Sequence, residues 1–227
     1  MKHLVVLTGA GISAESGIKT FRDADGLWEG HDVVEVATPQ GFAKNPELVL
    51  EFYNQRRKQL HEVKPNSAHF DLVDLENDYK VTIITQNVDD LHERSGSSNV
   101  VHLHGELFKV RSTKNSMDIK TWTTDINLGD TCDNGHQLRP HIVWFGEEVP
   151  MIEKAVAICE TANLLLIIGT SMQVYPAAGL MNYVPHNTPI YFIDPKPSIK
   201  NSELLTVFTD TATVGMKKVK SLLTQDK

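Results

Sequence analysis

Short, continuous apolar runs recur along the chain, with helix-like segments between them. The runs are rich in Val, Ile and Leu and read HLVVLTG, KVTIITQN, NVVHLHG, HIVWFGE, NLLLIIGTS and PIYFID. Continuous rather than alternating apolarity is typical of strands that are buried on both faces, as in a parallel sheet covered by crossover helices. The sequence therefore predicts an α/β fold with a Rossmann-like, doubly wound parallel sheet.

Composition argues against several kinds of partner and location. The chain has 227 residues, 41% of them hydrophobic, and a formal net charge of −7. We expect no direct nucleic-acid partner, because clustered Lys and Arg are missing. No run is suited to a membrane span or a signal peptide, and Cys132 and Cys159 are the only cysteines. These features predict a cytoplasmic protein with reduced thiols and no membrane contact.

Two segments depart from the alternation of strands and helices. Residues 46–62, PELVLEFYNQRRKQLHE, predict a helix, whereas residues 109–138 are polar and weakly patterned. We assign both to a small lobe inserted into a nucleotide-binding domain. The predicted division gives residues 1–27, 67–108 and 139–227 to the Rossmann-like domain, and residues 28–66 and 109–138 to the small lobe.

A glycine-rich turn follows the first apolar run. Gly9, Ala10 and Gly11, with Ala14, fit the pattern G-x-G-x-x-A between a strand and a helix. Backbone N–H groups and the helix dipole favour a pyrophosphate there, although a tight strand-to-helix turn is the simpler alternative. The chain continues into the loop KTFRDADGLWEG rather than into a helix and a second strand, which disfavours a dehydrogenase.

Polar residues also follow two other predicted strands. Gln86, Asn87 and Asp89 end one of them, and His104 ends the next. Amide side chains can hold a ribose or a carboxamide, and a histidine can take a proton near neutral pH. His102 is expected on the opposite face of its strand, in a structural role.

Five motifs together resemble one known family. GAGISAESGIKTFRDADGLW, TQNVDDLHERSG, HLHGE, RPHIVWFGE and GTSMQVYPAAG occur in the order and approximate spacing of the sirtuins, the NAD-dependent protein lysine deacylases. The resemblance covers nearly the whole chain. It implies an enzyme that consumes NAD, moves the acyl group from a protein or peptide lysine to ADP-ribose, and releases nicotinamide.

The resemblance also implies residue roles. His104 matches the general base, and Asp194 stands where the family usually has Asn. Val143, Trp144, Phe145 and Gly146 are implied to line the acyl-lysine tunnel and to pair with the peptide by strand addition. The implied NAD-binding residues are Gly9, Ala10, Gly11, Glu15, Phe21, Arg22, Trp28, Gln86, Asn87, Asp89, Gly169, Thr170, Ser171, Asp194 and Ala212.

The predicted helix carries a polar pair on an apolar stripe. Val49, Tyr53, Arg56 and Leu60 share one face by helical spacing. The simpler interpretation is that Tyr53 packs its ring while Arg56 extends to the surface. The resemblance favours a second interpretation, that the pair binds the acyl group, because Tyr-x-x-Arg here looks like the signature of sirtuins that accept succinyl or malonyl groups. A planar guanidinium suits a carboxylate. We therefore expect a dual deacylase that prefers acidic acyl groups and also accepts acetyl.

Sirtuins usually hold a structural zinc with two pairs of cysteines. Here Ser112 and Asn115 stand where the first pair is expected, and only Cys132 remains of the second. We therefore expect no zinc in this degenerate zinc-ribbon-like module, with packing by Trp122 and Leu128 instead. Other potential ligands occur near Cys132, namely Asp130, Asp133 and His136.

Two other functions stay open from the sequence. A mono-ADP-ribosyltransferase needs the same NAD-binding motifs, and so does a non-enzymatic NAD or ADP-ribose binding module. The transferase has no special need for VWFGE or the pair Tyr53 and Arg56, and His104 argues against the binding module. We expect a monomer.

Overall fold

The computed structural model describes residues 1–19, 27–28 and 30–225. Two residues predicted to bind NAD, Phe21 and Arg22, lie outside these ranges. The strands are β1 (His3–Thr8), β2 (Leu27–Trp28), β3 (His31–Asp32), β4 (Lys80–Thr85), β5 (Val100–His102), β6 (Gly105–Ser112), β7 (Ile119–Thr121), β8 (Leu138–Ile142), β9 (Leu164–Ile168), β10 (Ile190–Ile193) and β11 (Leu205–Phe208). The helices are α1 (Gly11–Ala14), α2 (Val33–Val36), α3 (Pro39–Lys44), α4 (Pro46–Glu62), α5 (Ser67–Leu75), α6 (Leu91–Ser95), α7 (Ile152–Cys159) and α8 (Ala212–Gln225), with a 3₁₀ helix at Ala177–Tyr183.

Six strands form one sheet in the order β11-β10-β9-β1-β4-β5. Every neighbouring pair in it is parallel. This is the strand order of the doubly wound dinucleotide-binding fold, so the predicted fold class is confirmed. Its strand order reverses between β1 and β9, and ligands of such folds bind outside the carboxyl ends of the strands at that point.

The sheet is apolar on both faces, as the continuous runs predicted. Val6 of β1 belongs to a cluster with Leu72 of α5 and Met216 of α8. Its neighbour Val5 belongs to the cluster on the other face, with Ala155 of α7. Crossover helices therefore cover both sides of the sheet. Within the described part of the chain, no helix has the length and apolarity needed to span a membrane.

The predicted helix over residues 46–62 is confirmed as α4. Pro46 occupies its first turn, where a missing N–H costs nothing, and the side chain of Asn45 accepts a hydrogen bond from the Leu48 N–H. The helix packs beside a three-stranded antiparallel sheet in the order β7-β6-β8. Arg57 is buried and donates to the Leu107 carbonyl and to Asn54, which ties the helix to β6. The division of the chain into two domains stays a prediction.

One predicted strand was wrong. The run HIVWFGE does not form a strand of the parallel sheet, since β8 ends at Ile142 and pairs antiparallel with β6. Ile142 and Trp144 are buried for another reason, because they belong to the apolar cluster built around α4, whereas Phe145 is exposed. Leu128 was also predicted to pack inside the small lobe, but it is exposed.

Candidate active site

A cleft of about 760 Å³ opens at the carboxyl ends of β1, β4, β9 and β10. All the described residues that the sequence assigned to NAD, to the acyl-lysine or to catalysis line it. They are Gly9, Ala10, Gly11, Glu15, Trp28, Tyr53, Arg56, Gln86, Asn87, Asp89, His104, Val143, Trp144, Phe145, Gly146, Gly169, Thr170, Ser171, Asp194 and Ala212. Their individual roles stay predictions.

Glycines form the floor of the cleft where β1 meets β9. The Gly9 N–H donates to the Ile168 carbonyl over 3.0 Å, and the Gly11 N–H donates to the Gly169 carbonyl over 2.8 Å. A Cβ on Gly11 would lie 2.5 Å from the Gly169 Cα, so only glycine permits this approach. The helix dipole suggested by the motif contributes little, because α1 has only 4 residues.

Where the cleft reaches α8, the Glu15 side chain links the end of α1 to the start of α8. One oxygen of the Glu15 carboxylate accepts from the Thr213 N–H over 2.9 Å, and the other accepts from the Thr211 and Thr213 hydroxyls. This carboxylate therefore caps the start of α8. The Asp194 carboxylate accepts from the Lys196 N–H over 2.8 Å, which fixes it in the loop after β10.

A chain of hydrogen bonds links three side chains behind the glycine turn. Asn87 Nδ2 donates to Ser13 Oγ over 3.2 Å, and Ser13 Oγ donates to Asp89 Oδ2 over 3.0 Å. Burial raises the pKa of Asp89 to about 6, against the opposing effect of the Leu91 N–H and the Ser13 hydroxyl. The side chains of Ser13, Asn87 and Asp89 are thus held in fixed positions on the floor of the cleft.

His104 is held in one tautomer. Its Nδ1 lies 3.1 Å from the Gln86 carbonyl oxygen, which can only accept, so Nδ1 carries the proton. Nε2 then keeps its lone pair. Burial lowers the pKa of His104 below its usual value, and the Gln86 carbonyl opposes this only partly. A neutral imidazole with an open nitrogen in a cleft can act as a general base.

Tyr53 and Trp144 form the end of the cleft nearest α4. Tyr53 is 0% exposed, and its hydroxyl oxygen accepts from Trp144 Nε1 over 2.9 Å. An indole N–H only donates, so the hydroxyl must use its own proton elsewhere. One turn along α4, Arg56 lies half-buried in the cleft wall, with its guanidinium 4.4 Å from the centre of the Phe52 ring.

An ion cluster of two buried arginines and a half-buried glutamate fixes Trp144. Glu147 receives two hydrogen bonds from Arg139, at 2.7 and 3.1 Å, and one from Arg111 at 2.9 Å. The same carboxylate accepts from the Trp144 N–H over 2.8 Å. The Arg139 guanidinium stacks on the indole at 3.3 Å. Glu147 was not predicted from the sequence, although it directly follows the predicted tunnel residues.

The backbone of the predicted tunnel is already engaged. The Val143 N–H donates to the His104 carbonyl, and the Phe145 N–H donates to the Ala37 carbonyl. Together with the Trp144 N–H, three consecutive donors are used within the chain. The predicted strand addition by a peptide along 143–145 would therefore have to use the carbonyl groups.

The comparisons with known proteins agree with this geometry. A profile of the Sir2 family matches residues 9–176. The chain belongs to the Sir2 family. The predicted resemblance to the sirtuins is thereby confirmed.

Two curated Sir2 relatives are closely similar over most of the chain. A protein of Helicobacter pylori (strain ATCC 700392 / 26695), named NAD-dependent protein deacylase, is 62% identical over 204 residues, covering 90% of this chain and 88% of its own. A Bacteroides thetaiotaomicron protein of the same name is 54% identical over 230 residues, covering 98% of each chain.

Solved Sir2 structures share the fold. A Sir2 homolog–NAD complex matches with a TM-score of 0.88 at 39% identity, covering 99% of this chain and 90% of the other. A Sir2–p53 peptide–NAD+ structure matches with a TM-score of 0.80 at 28% identity, covering 98% and 93%.

The small lobe of this Sir2 protein does not fit a zinc ion. Cys132 is buried and donates to Ser112 Oγ over 3.5 Å, inside an apolar cluster that includes Val110. Asp133 is paired with Lys120 at 2.7 Å. Across the described ranges, no three His, Cys, Asp or Glu side chains are grouped closely enough to hold a metal.

Two lysines of the cleft were also missed. Lys19 follows the glycine turn, and Lys196 lies in the loop after β10. The rule that ligands lie beyond the carboxyl ends of parallel strands was sufficient to find Lys196. Such cations suit the phosphates of a dinucleotide.

Proposed function

We propose that this Sir2 protein removes acyl groups from lysine side chains of proteins or peptides, with NAD consumed, and that it prefers acidic acyl groups over acetyl. The deacylase activity follows from the family, from the NAD-dependent deacylases to which the chain is similar, and from the cleft. The preference for acidic groups rests on Tyr53 and Arg56.

The residues around His104 suit acyl transfer to ADP-ribose. NAD, when bound, supplies an anomeric carbon whose nicotinamide leaves as a neutral molecule. His104 Nε2 takes a proton from a ribose hydroxyl, because its lone pair is kept by the Nδ1–H bond to Gln86. Asn87 and Asp89 hold the nicotinamide end, and Ser171 and Asp194 hold the adenosine end. The cleft aligns the acyl oxygen with the anomeric carbon, which converts an encounter into an intramolecular step.

The proposed preference for acidic acyl groups depends on the direction of the hydrogen bond at Tyr53. Its oxygen accepts from Trp144, so its hydroxyl proton is available to an acceptor in the cleft. A carboxylate at the end of a succinyl or malonyl chain is an acceptor, and a guanidinium one helical turn away adds the opposite charge. An acetyl methyl group offers no acceptor to this end of the cleft. It fits there but gains nothing from Tyr53 or Arg56.

We also propose that the protein acts as a monomer in the cytoplasm. The small lobe of residues 28–66 and 109–138 contributes α4, with Tyr53 and Arg56, to the acyl end of the cleft. The remaining segments contribute Trp144 to that end and the proposed NAD-binding residues other than Trp28.

Product analysis tests this function against ADP-ribosyl transfer. The protein is incubated with NAD and a succinyl-lysine peptide, and the peptide mass and released nicotinamide are followed. Deacylation gives peptide that has lost its succinyl group in a 1:1 ratio with nicotinamide. Added ADP-ribose mass on protein, or NAD binding without nicotinamide release, would replace the proposal with one of the two other functions.

A further inference from the structure

His102 contacts the same loop as His104. Its Nδ1 lies 3.0 Å from the Asn87 carbonyl oxygen, while Nδ1 of His104 lies 3.1 Å from the carbonyl oxygen of Gln86. Two rings spaced two residues apart thus hold consecutive carbonyls of the loop after β4. The expectation that His102 lies on the opposite face of its strand was wrong: residues two apart on a strand share a face, and both rings contact the loop after β4.

The two rings differ at their second nitrogen. Nε2 of His102 lies 2.8 Å from Oε1 of Glu93 on α6. A carbonyl and a carboxylate can both only accept, so His102 needs protons on both nitrogens to keep both bonds. Burial opposes this charge, but the hydrogen bond and the charge of Glu93 outweigh it and raise the pKa of His102. The two acceptors thus favour a doubly protonated ring at His102, whereas burial favours the neutral ring at His104.

The held carbonyl belongs to a residue of the cleft floor. Asn87 is buried; its N–H donates to Thr85 Oγ1 over 3.0 Å, and its side chain donates to Ser13 Oγ. Of these three hydrogen bonds, the one from His102 holds the carbonyl oxygen. Loss of that donor leaves a carbonyl in a buried segment without this partner, which costs more than the bond itself contributes.

We propose that His102 is a positioning residue for NAD: its Nδ1–H, with the ring held at Nε2 by Glu93, fixes the Asn87 peptide and so the orientation of the Asn87 side chain toward the nicotinamide end of the cofactor. This inference rests on the proposed contact of Asn87 with NAD. It assigns the pair His102 and Glu93 a function beyond packing, although neither residue lines the cleft.

Two isosteric variants separate the ring's two hydrogen bonds. His102→Asn places an amide N–H close to the Nδ1 position and keeps the donor to Asn87. His102→Gln places it close to Nε2 and keeps only the bond to Glu93. We expect His102→Gln to raise the KM for NAD about five- to tenfold, with the KM for the acyl peptide within about twofold of wild type. His102→Asn should keep both KM values within about twofold.

A third variant covers the case in which His102→Gln does not fold. In Glu93→Gln, the new amide donates to Nε2 of a neutral ring, and Nδ1–H still reaches Asn87. We expect the KM for NAD to stay within about twofold of wild type. A larger rise with an unchanged peptide KM would contradict the inference, because the donor to Asn87 is retained.

The decisive measurement is whether the KM for NAD changes while the KM for the peptide does not. Equal KM values for NAD in His102→Asn and His102→Gln would overturn the inference, and so would an equal rise in both KM values for His102→Gln. Asn87→Ala serves as the reference. If it leaves the KM for NAD unchanged, the proposed contact of Asn87 fails. If it raises that KM while His102→Gln does not, only the role of His102 fails.

Discussion

The Trp144 Nε1–H donates to the Tyr53 hydroxyl oxygen over 2.9 Å, between two side chains that are both buried. The direction of this bond cannot reverse, because indole nitrogen only donates. It joins a segment after β8 to the middle of α4, and the ion cluster around Glu147 holds the indole in place. The Tyr53 hydroxyl can therefore donate its own proton only to an acceptor other than Trp144.

Tyr53→Phe should weaken both stability and acidic-acyl selectivity. It leaves the buried Trp144 N–H without its partner, which we expect to cost about 1–3 kcal/mol of unfolding free energy. It also removes one donor to the acyl carboxylate, so the succinyl-to-acetyl ratio of kcat/KM should fall about tenfold. Chemical denaturation and peptide kinetics measure the two effects. An unchanged ratio would remove Tyr53 from acyl recognition.

The pH dependence of turnover should reflect the tautomer and burial of His104. Only the neutral ring can accept a proton, and burial lowers its pKa below the ordinary value of 6.5. We therefore expect the acid limb of kcat/KM, which reports ionisations of the free enzyme, to have its midpoint below pH 6.5. His104→Gln, which cannot accept a proton in this way, should lose about 10²–10⁴-fold in kcat. A midpoint above pH 6.5 would contradict the assigned environment.

Asp89 should make the protein less stable as pH rises through the weakly acidic range. Its pKa in the folded protein is about 6 against an ordinary value of 3.8, mainly because it is buried. Between these values the unfolded chain is ionised and the folded chain is not, so raising the pH favours unfolding. Asp89→Asn removes this ionisation. Relative to wild type it should therefore gain about 1–3 kcal/mol on going from pH 4 to pH 8, measured by denaturation at both values.

Removal of metal should have no effect on stability. Cys132 bonds to Ser112 in an apolar cluster, and Asp133 pairs with Lys120. We expect a strong zinc chelator to change Tm by less than about 1 °C, since binding of a metal to the folded state alone would raise Tm. Elemental analysis of the purified protein supplies the control. A chelator-dependent fall in Tm with bound zinc would show that other residues hold it.

Much of the architecture could be predicted from local pattern. The apolar runs identified β1, β4, β5, β9 and β10, because burial on both faces demands continuous apolarity. Pro46 and the helical spacing of apolar residues gave the bounds of α4. Strand-end polar residues gave the candidate site, because parallel strands direct their carboxyl ends to one edge.

The features that could not be predicted from the sequence depend on contacts between distant segments. The run around Trp144 is apolar because it packs on α4, which sequence periodicity cannot distinguish from a sheet strand. Glu147 reads as an ordinary surface charge until Arg111 and Arg139 are brought to it by β6 and β8. The short edge strand β11 is only half-buried, so its sequence carries a weak signal.

The most direct test compares succinyl-lysine and acetyl-lysine peptides in wild type, Arg56→Met and Lys58→Met. Lys58→Met removes a positive charge from the same helix, where Lys58 pairs with Asp125 at the surface, and should change neither rate. We predict a succinyl-to-acetyl ratio of kcat/KM above one in wild type, falling about ten- to hundredfold in Arg56→Met, because a charged hydrogen bond contributes about 1.5–3 kcal/mol. A ratio that is the same in all three proteins would contradict the account.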